Sequence, residues 1–207
     1  MIRSQSIQQT YDRCSSLYDL VLKPWLAFGR ERAVEMLDLR EHDRVLEIGV
    51  GTGLSFEFYP RNVHVVGFDY SEGMLNQSQK AREDAACPID LLQMDVQAMA
   101  FPDASFDRIF AAYVMTVVPN TKKAVEELLR IAKPGAQVVF INHLRPTNAL
   151  LGWLEDMFHP IFSELGLFTL DRDLLSILTS CGIENIDLEA TSIFGLHHLI
   201  SFTVPYR

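Results

Sequence analysis

The chain has 207 residues, 48% of them hydrophobic and 22% charged, enough apolar material for a single domain with a sizeable core. A formal net charge of −9 excludes a broad electrostatic grip on nucleic acid, because Lys and Arg must neutralise phosphates to supply that affinity. The first 40 residues hold six basic and five acidic side chains, so an anionic partner is expected at that end.

Cys14, Cys87 and Cys181 are far apart and form no C-x-x-C pair, so neither a disulfide framework nor a zinc site is expected, and the reducing cytoplasm is the expected compartment. Met1 to Ile7 lacks the apolar core of a signal peptide, and no later stretch approaches the ~18 apolar residues of a spanning helix.

In chain order, the first pattern is a stripe. Ile7, Tyr11, Cys14, Leu17, Tyr18, Val21, Leu22 and Trp25 recur at three-and-four spacing, while Arg3, Arg13 and Lys23 fall elsewhere. The pattern suits an interfacial helix on an anionic membrane surface, and equally a helix that packs over the rest of the domain as a lid. Short apolar runs then alternate with helical patterns. Strands are predicted at Arg44–Ile48, Val63–Asp69, Ile89–Met94, Arg108–Tyr113 and Gln137–Asn142, and helices at Leu54–Tyr59, Ser71–Ala85 and Thr121–Ala132, with Lys133-Pro134-Gly135 as a helix stop. Ser71 is the expected N-cap of its helix. Further helices are predicted at Asn148–Phe162 and Asp171–Ser180. Asn185–Thr191 and Gly195–Val204 then read as an antiparallel pair at one edge of an otherwise parallel sheet. The whole reads as one α/β domain over 1–207: a helical extension to residue 40, a ligand-binding core at 43–143 and a substrate side at 144–207.

The chemistry concentrates after the first strand. V-L-E-I-G-V-G-T-G at 45–53 opens an apolar run into three alternate glycines, and V-H-V-V-G-F-D delivers Asp69 about 20 residues on, the layout of a nucleotide-binding βαβ unit. A dinucleotide loop would need glycine at position 54, where Leu54 stands. A carboxylate at the end of the second strand can accept both ribose hydroxyls; Asp95, in Met94-Asp95-Val96, ends the third strand and can meet an adenine amine. Glu47, the glycines, Asp69 and Asp95 all fall at carboxyl ends of successive strands, where open α/β sheets bind ligands.

The series E-I-G-V-G-T-G, F-D-Y-S-E-G-M-L, Q-M-D-V-Q-A-M-A-F-P-D-A-S-F-D and L-L-R-I-A-K-P-G-A resembles the motifs of class I S-adenosylmethionine methyltransferases, over residues 43–143. The resemblance implies a Rossmann-like fold with a mostly parallel seven-stranded sheet, an antiparallel C-terminal edge and an N-terminal helical extension. It implies S-adenosyl-L-methionine as cofactor: Glu47, Gly49, Gly51, Thr52 and Gly53 at its amino acid moiety, Asp69 at the ribose, Tyr70 and Met74 on the adenine face, Asp95 and Val96 at the adenine edge. A narrower likeness rests on Tyr11, Y-D at 18–19, G-R at 29–30, A-A-Y-V-M-T-V-V-P at 111–119 and F-I-N-H at 140–143. Here the chain is similar to the soluble bacterial phospholipid N-methyltransferases, which methylate phosphatidylethanolamine stepwise toward phosphatidylcholine. Ubiquinone and menaquinone methyltransferases share part of the pattern, so a quinone precursor stands as the alternative acceptor, and a cofactor-binding module without catalysis as a third reading.

For amine methylation the expected groups along the methyl path are Tyr18, Tyr113 and His143, with Tyr11 and Arg145 on the substrate. Aromatic faces there would favour methylated, cationic products. His197-His198 is not expected to hold a metal, since adjacent residues on a strand point to opposite faces and no third ligand is evident.

Overall fold

The computed structural model describes residues 29–115, 117–143, 174–191 and 197–206. Among them seven strands form one sheet: β1 (Arg44–Ile48), β2 (His64–Asp69), β3 (Ile89–Gln93), β4 (Phe106–Ala112), β5 (Ala132–His143), β6 (Ile186–Ala190) and β7 (His197–Thr203). Their order is β3-β2-β1-β4-β5-β7-β6. Strands β1 to β5 run parallel, and β7 is antiparallel to both β5 and β6. The predicted antiparallel C-terminal edge is therefore present, with β7 tucked between β5 and β6.

Parallel central strands must be covered on both faces, and their sequences are accordingly apolar nearly throughout. One face carries α1 (Arg30–Met36) and α2 (Glu72–Asp84), with Ala33, Leu37, Phe56, Val65 and Leu75 in its core. The other carries α3 (Thr121–Ile131) and α4 (Leu174–Ser180), which bury Leu128 and Leu178 against Ile48, Phe68, Ile109 and Phe140. The chain runs outward from β1 to β3 and returns to β4 on the other side of β1. The carboxyl ends of β1 and β4 thus face a topological switch point, the crevice where such sheets take ligands.

Four predicted elements differ in extent. Leu54–Tyr59 forms only a single 3-10 turn, Phe56–Phe58, because Pro60 holds Tyr59 extended, at ψ 131°, and stops propagation. Strand β4 stops at Ala112, since Tyr113 turns out of it at φ 61°. Strand β5 begins at Ala132 rather than Gln137: α3 ends at Ile131, and the register with β4 shifts before Gln137 meets Arg108. The helix predicted from Asp171 is described from Leu174. The stripe at 7–25, the helix at 148–162, and Tyr11, Tyr18 and Arg145 lie outside the described residues; so does the His143 side chain, although its backbone closes β5.

Motif residues far from any ligand clamp the sheet ends. Arg130 on α3 bonds Glu127 and Asp103 and donates to the carbonyls of Met99 and Phe101, both at 2.8 Å. Lys133 reaches Asp107 at 2.7 Å. The Arg130 bonds fix the long loop that follows Asp95 and Val96, while Lys133 and Asp107 tie β5 to β4. Ser71 caps α2 as expected, its Oγ accepting from Met74 N at 3.2 Å, and so sets the helix at the end of β2. Ser71→Ala should cost about 1 kcal/mol, read as a lower urea midpoint at unchanged m-value.

Candidate active site

The loop after β1 is tied to the end of β2. The N–H groups of Gly49 and Val50 donate to the Phe68 carbonyl at 2.8 and 3.1 Å, and Gly51 N donates to Asp69 Oδ2 at 2.9 Å. Gly49, Gly51 and Gly53 all lie in the left-handed region, at φ 66°, 55° and 82°. A side chain at Gly49 would run into Val114, and one at Gly53 would meet the Phe56 ring at 2.8 Å and Ala81 at 3.0 Å. At Gly51 it would meet nothing within 4 Å, because that position faces the open cleft. Two of the glycines thus serve packing and one serves access.

Asp69 is oriented by backbone donors on both oxygens, Gly51 N on Oδ2 and Ser71 N on Oδ1, each at 2.9 Å. Carboxylate oxygens accept more than one bond each, so this holding leaves the group suited to vicinal hydroxyls. Tyr70 and Met74 follow it along the same wall, Tyr70 half exposed and Met74 buried. Asp95 makes a turn with Gln97, whose N–H donates to Oδ1 at 2.8 Å and whose amide reaches both oxygens. Asp95, Val96 and Gln97 all line the cleft. Gly49, Gly51, Thr52 and Tyr113 complete the set of predicted residues that the fold brings to one cavity.

Glu47 and Gly53 stand behind that wall. Glu47 is 1% exposed, with Tyr59 Oη donating to its Oε2 at 2.8 Å. Burial pushes the Glu47 carboxyl up to about 7, against the opposing pull of the Arg30 cation and the Tyr59 bond. Arg30 in turn donates to Ser55 Oγ at 2.9 Å, lines the cleft, and sits 5.8 Å from the centre of the Tyr113 ring. Sequence reasoning assigned no role to Arg30, Tyr59, Gln97 or His197. Their local signals were the Gly29-Arg30 pair, an aromatic residue before Pro60, the place of Gln97 two residues after Asp95, and the His197-His198 pair. His197 is buried on β7, its Nδ1 2.7 Å from Tyr113 Oη, a contact across 84 residues that no spacing reveals.

The model of a methyltransferase domain matches residues 46–140. A phosphatidylethanolamine N-methyltransferase from Cereibacter sphaeroides is 33% identical over 163 residues, 78% of this chain and 79% of that protein. The chain is a class I S-adenosylmethionine-dependent methyltransferase. This methyltransferase is also 32% identical to a demethylmenaquinone methyltransferase from Paenarthrobacter aurescens (strain TC1), over 72% of its own length and 59% of that protein's. Its fold matches a chain of the complex between the Haloferax volcanii Trm112 methyltransferase activator and a methyltransferase. The TM-score is 0.77 at 14% identity, with 95% of this chain and 98% of the other covered. S-adenosyl-L-methionine is the cofactor of the methyltransferase. The residues present fit it: the open space at Gly51 admits a ligand against the backbone, and the Asp69 carboxylate is aimed at the same cleft.

Gly51→Ala should leave the enzyme folded at a cost of roughly 1–2 kcal/mol for the left-handed backbone. It should weaken S-adenosylhomocysteine binding by about tenfold or more in calorimetry. Gly49→Ala should cost more than Gly51→Ala, read as a lower melting temperature by circular dichroism, because the Val114 side chain must also move. Glu47 supplies a pH signature. Its folded value lies above its ordinary 4.5, so the stability tied to its bound proton is complete below about pH 4.5 and is lost as pH rises through about 7. The melting temperature of Glu47→Gln, relative to the parent, should therefore rise across that interval and level off above it.

Proposed function

We propose that this methyltransferase methylates the amine of phosphatidylethanolamine and of its partly methylated derivatives at a membrane surface. The observation that carries the reading is the 33% identity to the phosphatidylethanolamine N-methyltransferase, which spans most of both chains. The cleft is compatible with it. Beyond Tyr113 its lining includes Val114, Val117, Val118 and Pro119, an apolar shoulder suited to an amphiphilic acceptor. Among the described residues no helix is long and apolar enough to cross a membrane. Encounter with lipid is assigned to the stripe of residues 7–25, with Trp25 and the interspersed cations at the head-group level.

S-adenosylmethionine supplies an electrophilic methyl group on a sulfonium, so the protein's task is alignment of the acceptor and management of its proton. Asp69 holds the ribose hydroxyls, Met74 and Tyr70 cover the adenine face, and Asp95 with Val96 meets its edge. Gly51 lets the backbone approach the amino acid moiety, with Gly49 and Thr52 lining the same cleft. Glu47 acts from behind the wall, fixing Tyr59, with Arg30 and Ser55 beside it. No metal and no nucleic acid enters this scheme.

The likeness to the demethylmenaquinone methyltransferase favours a second reading, a quinone precursor as acceptor. Incubation of the purified enzyme with labelled methyl donor separates the two. Vesicles would contain phosphatidylethanolamine, its monomethyl derivative, or neither, with demethylmenaquinone in a parallel set. Label should enter the lipid fraction only where an amine lipid is present; label confined to the quinone would replace this reading with the second.

A further inference from the structure

The reaction needs an acceptor for the amine's proton, and the structure devotes several costly features to one hydroxyl. Tyr113 is a bulky residue held at φ 61°, where L side chains rarely sit, and its N–H donates to the Ile141 carbonyl at 2.7 Å. Strand β7 carries a 2% exposed histidine to it: His197 Nδ1 lies 2.7 Å from Tyr113 Oη, with the rings edge to face at 5.6 Å and 84°. His197 faces the α1 side of the sheet, away from its neighbour His198, and meets the cleft only through Tyr113, which lines it.

Resting on the phospholipid-amine reading, we propose that His197 is a positioning residue that takes the Tyr113 phenol proton while Tyr113 takes a proton from the acceptor ammonium. One N–H bond of the ammonium breaks and its proton passes to Tyr113 Oη; the phenol's own proton passes to His197 Nδ1, leaving an imidazolium. The amine's freed lone pair forms the new N–C bond as the methyl's C–S bond breaks, and the sulfur departs as a neutral thioether. After product leaves, the imidazolium proton returns through Tyr113 to water. The groups around His197 suit a resting neutral imidazole. Arg30 on α1 is a cation above the Tyr113 ring, and His198 adjoins His197 on β7. Burial, with a smaller contribution from His198, holds His197 below the usual histidine value.

Two measurements on the full chain test this. In 15N spectra of histidine-labelled enzyme with S-adenosylhomocysteine, His197 should carry its proton on Nε2, and Tyr113→Phe should shift the Nδ1 resonance; a proton resident on Nδ1 overturns the proposal. With phosphatidylethanolamine vesicles, His197→Gln should lower kcat about 10²-fold near neutral pH. The vesicle KM and S-adenosylhomocysteine affinity should hold, and the deficit should shrink as pH rises and the amine deprotonates unaided. An unchanged kcat, or a deficit equal at every pH, overturns it. If the parent enzyme methylates no amine lipid, the acceptor reading falls, while the tautomer measurement still decides whether His197 accepts from Tyr113.

Discussion

The site depends on one constraint: the loop that leaves β1 must find partners for its N–H groups where the sheet ends, and the end of β2 supplies them. The Phe68 carbonyl takes Gly49 and Val50, and the Asp69 carboxylate takes Gly51. Buried backbone donors cannot go unpaired without a cost comparable to a lost hydrogen bond, so loop and strand end stand or fall together. The same bonds that shape the loop also orient Asp69, which is why the two groups that line the cleft there are built as one object.

Around that object the polar residues sort into two tiers. Asp69 and Asp95 sit at the cleft wall, oriented by backbone and by Gln97. Behind them Glu47 and Tyr59 form a closed contact, with Arg30 and Ser55 packed beside it, that connects the floor of the sheet to the Tyr113 end of the cavity. Burial raises the Glu47 carboxyl to about 7, which places a titrating group of this inner tier near neutrality.

Motif residues also divide by purpose. Arg130 and Asp103, or Lys133 and Asp107, belong to signatures separated by more than 20 residues, yet each pair closes at 2.7 Å. Arg130 and Asp103 hold the loop between β3 and β4, which carries Asp95 and Val96, against α3, whereas Lys133 and Asp107 tie the start of β5 to β4.

Local chemistry alone determined much of this. Alternation of apolar runs with amphipathic helices revealed the strands from β1 to β4 to within two residues, and Ser71 could be read as a cap because capping is a contact three residues long. The glycine loop with Asp69 pointed to a nucleotide-like ligand for the same reason: turn, strand end and carboxylate lie within one βαβ unit. What spacing could not reveal was which glycine faces the open cleft. Gly51 and Gly53 look alike in sequence, and only Phe56 and Ala81 packed on one of them separates their roles. Nor could it pair Tyr113 with His197, because that contact exists only once β7 runs antiparallel to β5 and brings residues 84 apart to one end of the sheet. Short-range hydrogen-bonding needs are written into neighbouring residues, whereas contacts across the sheet follow from strand order, which a one-dimensional pattern does not encode.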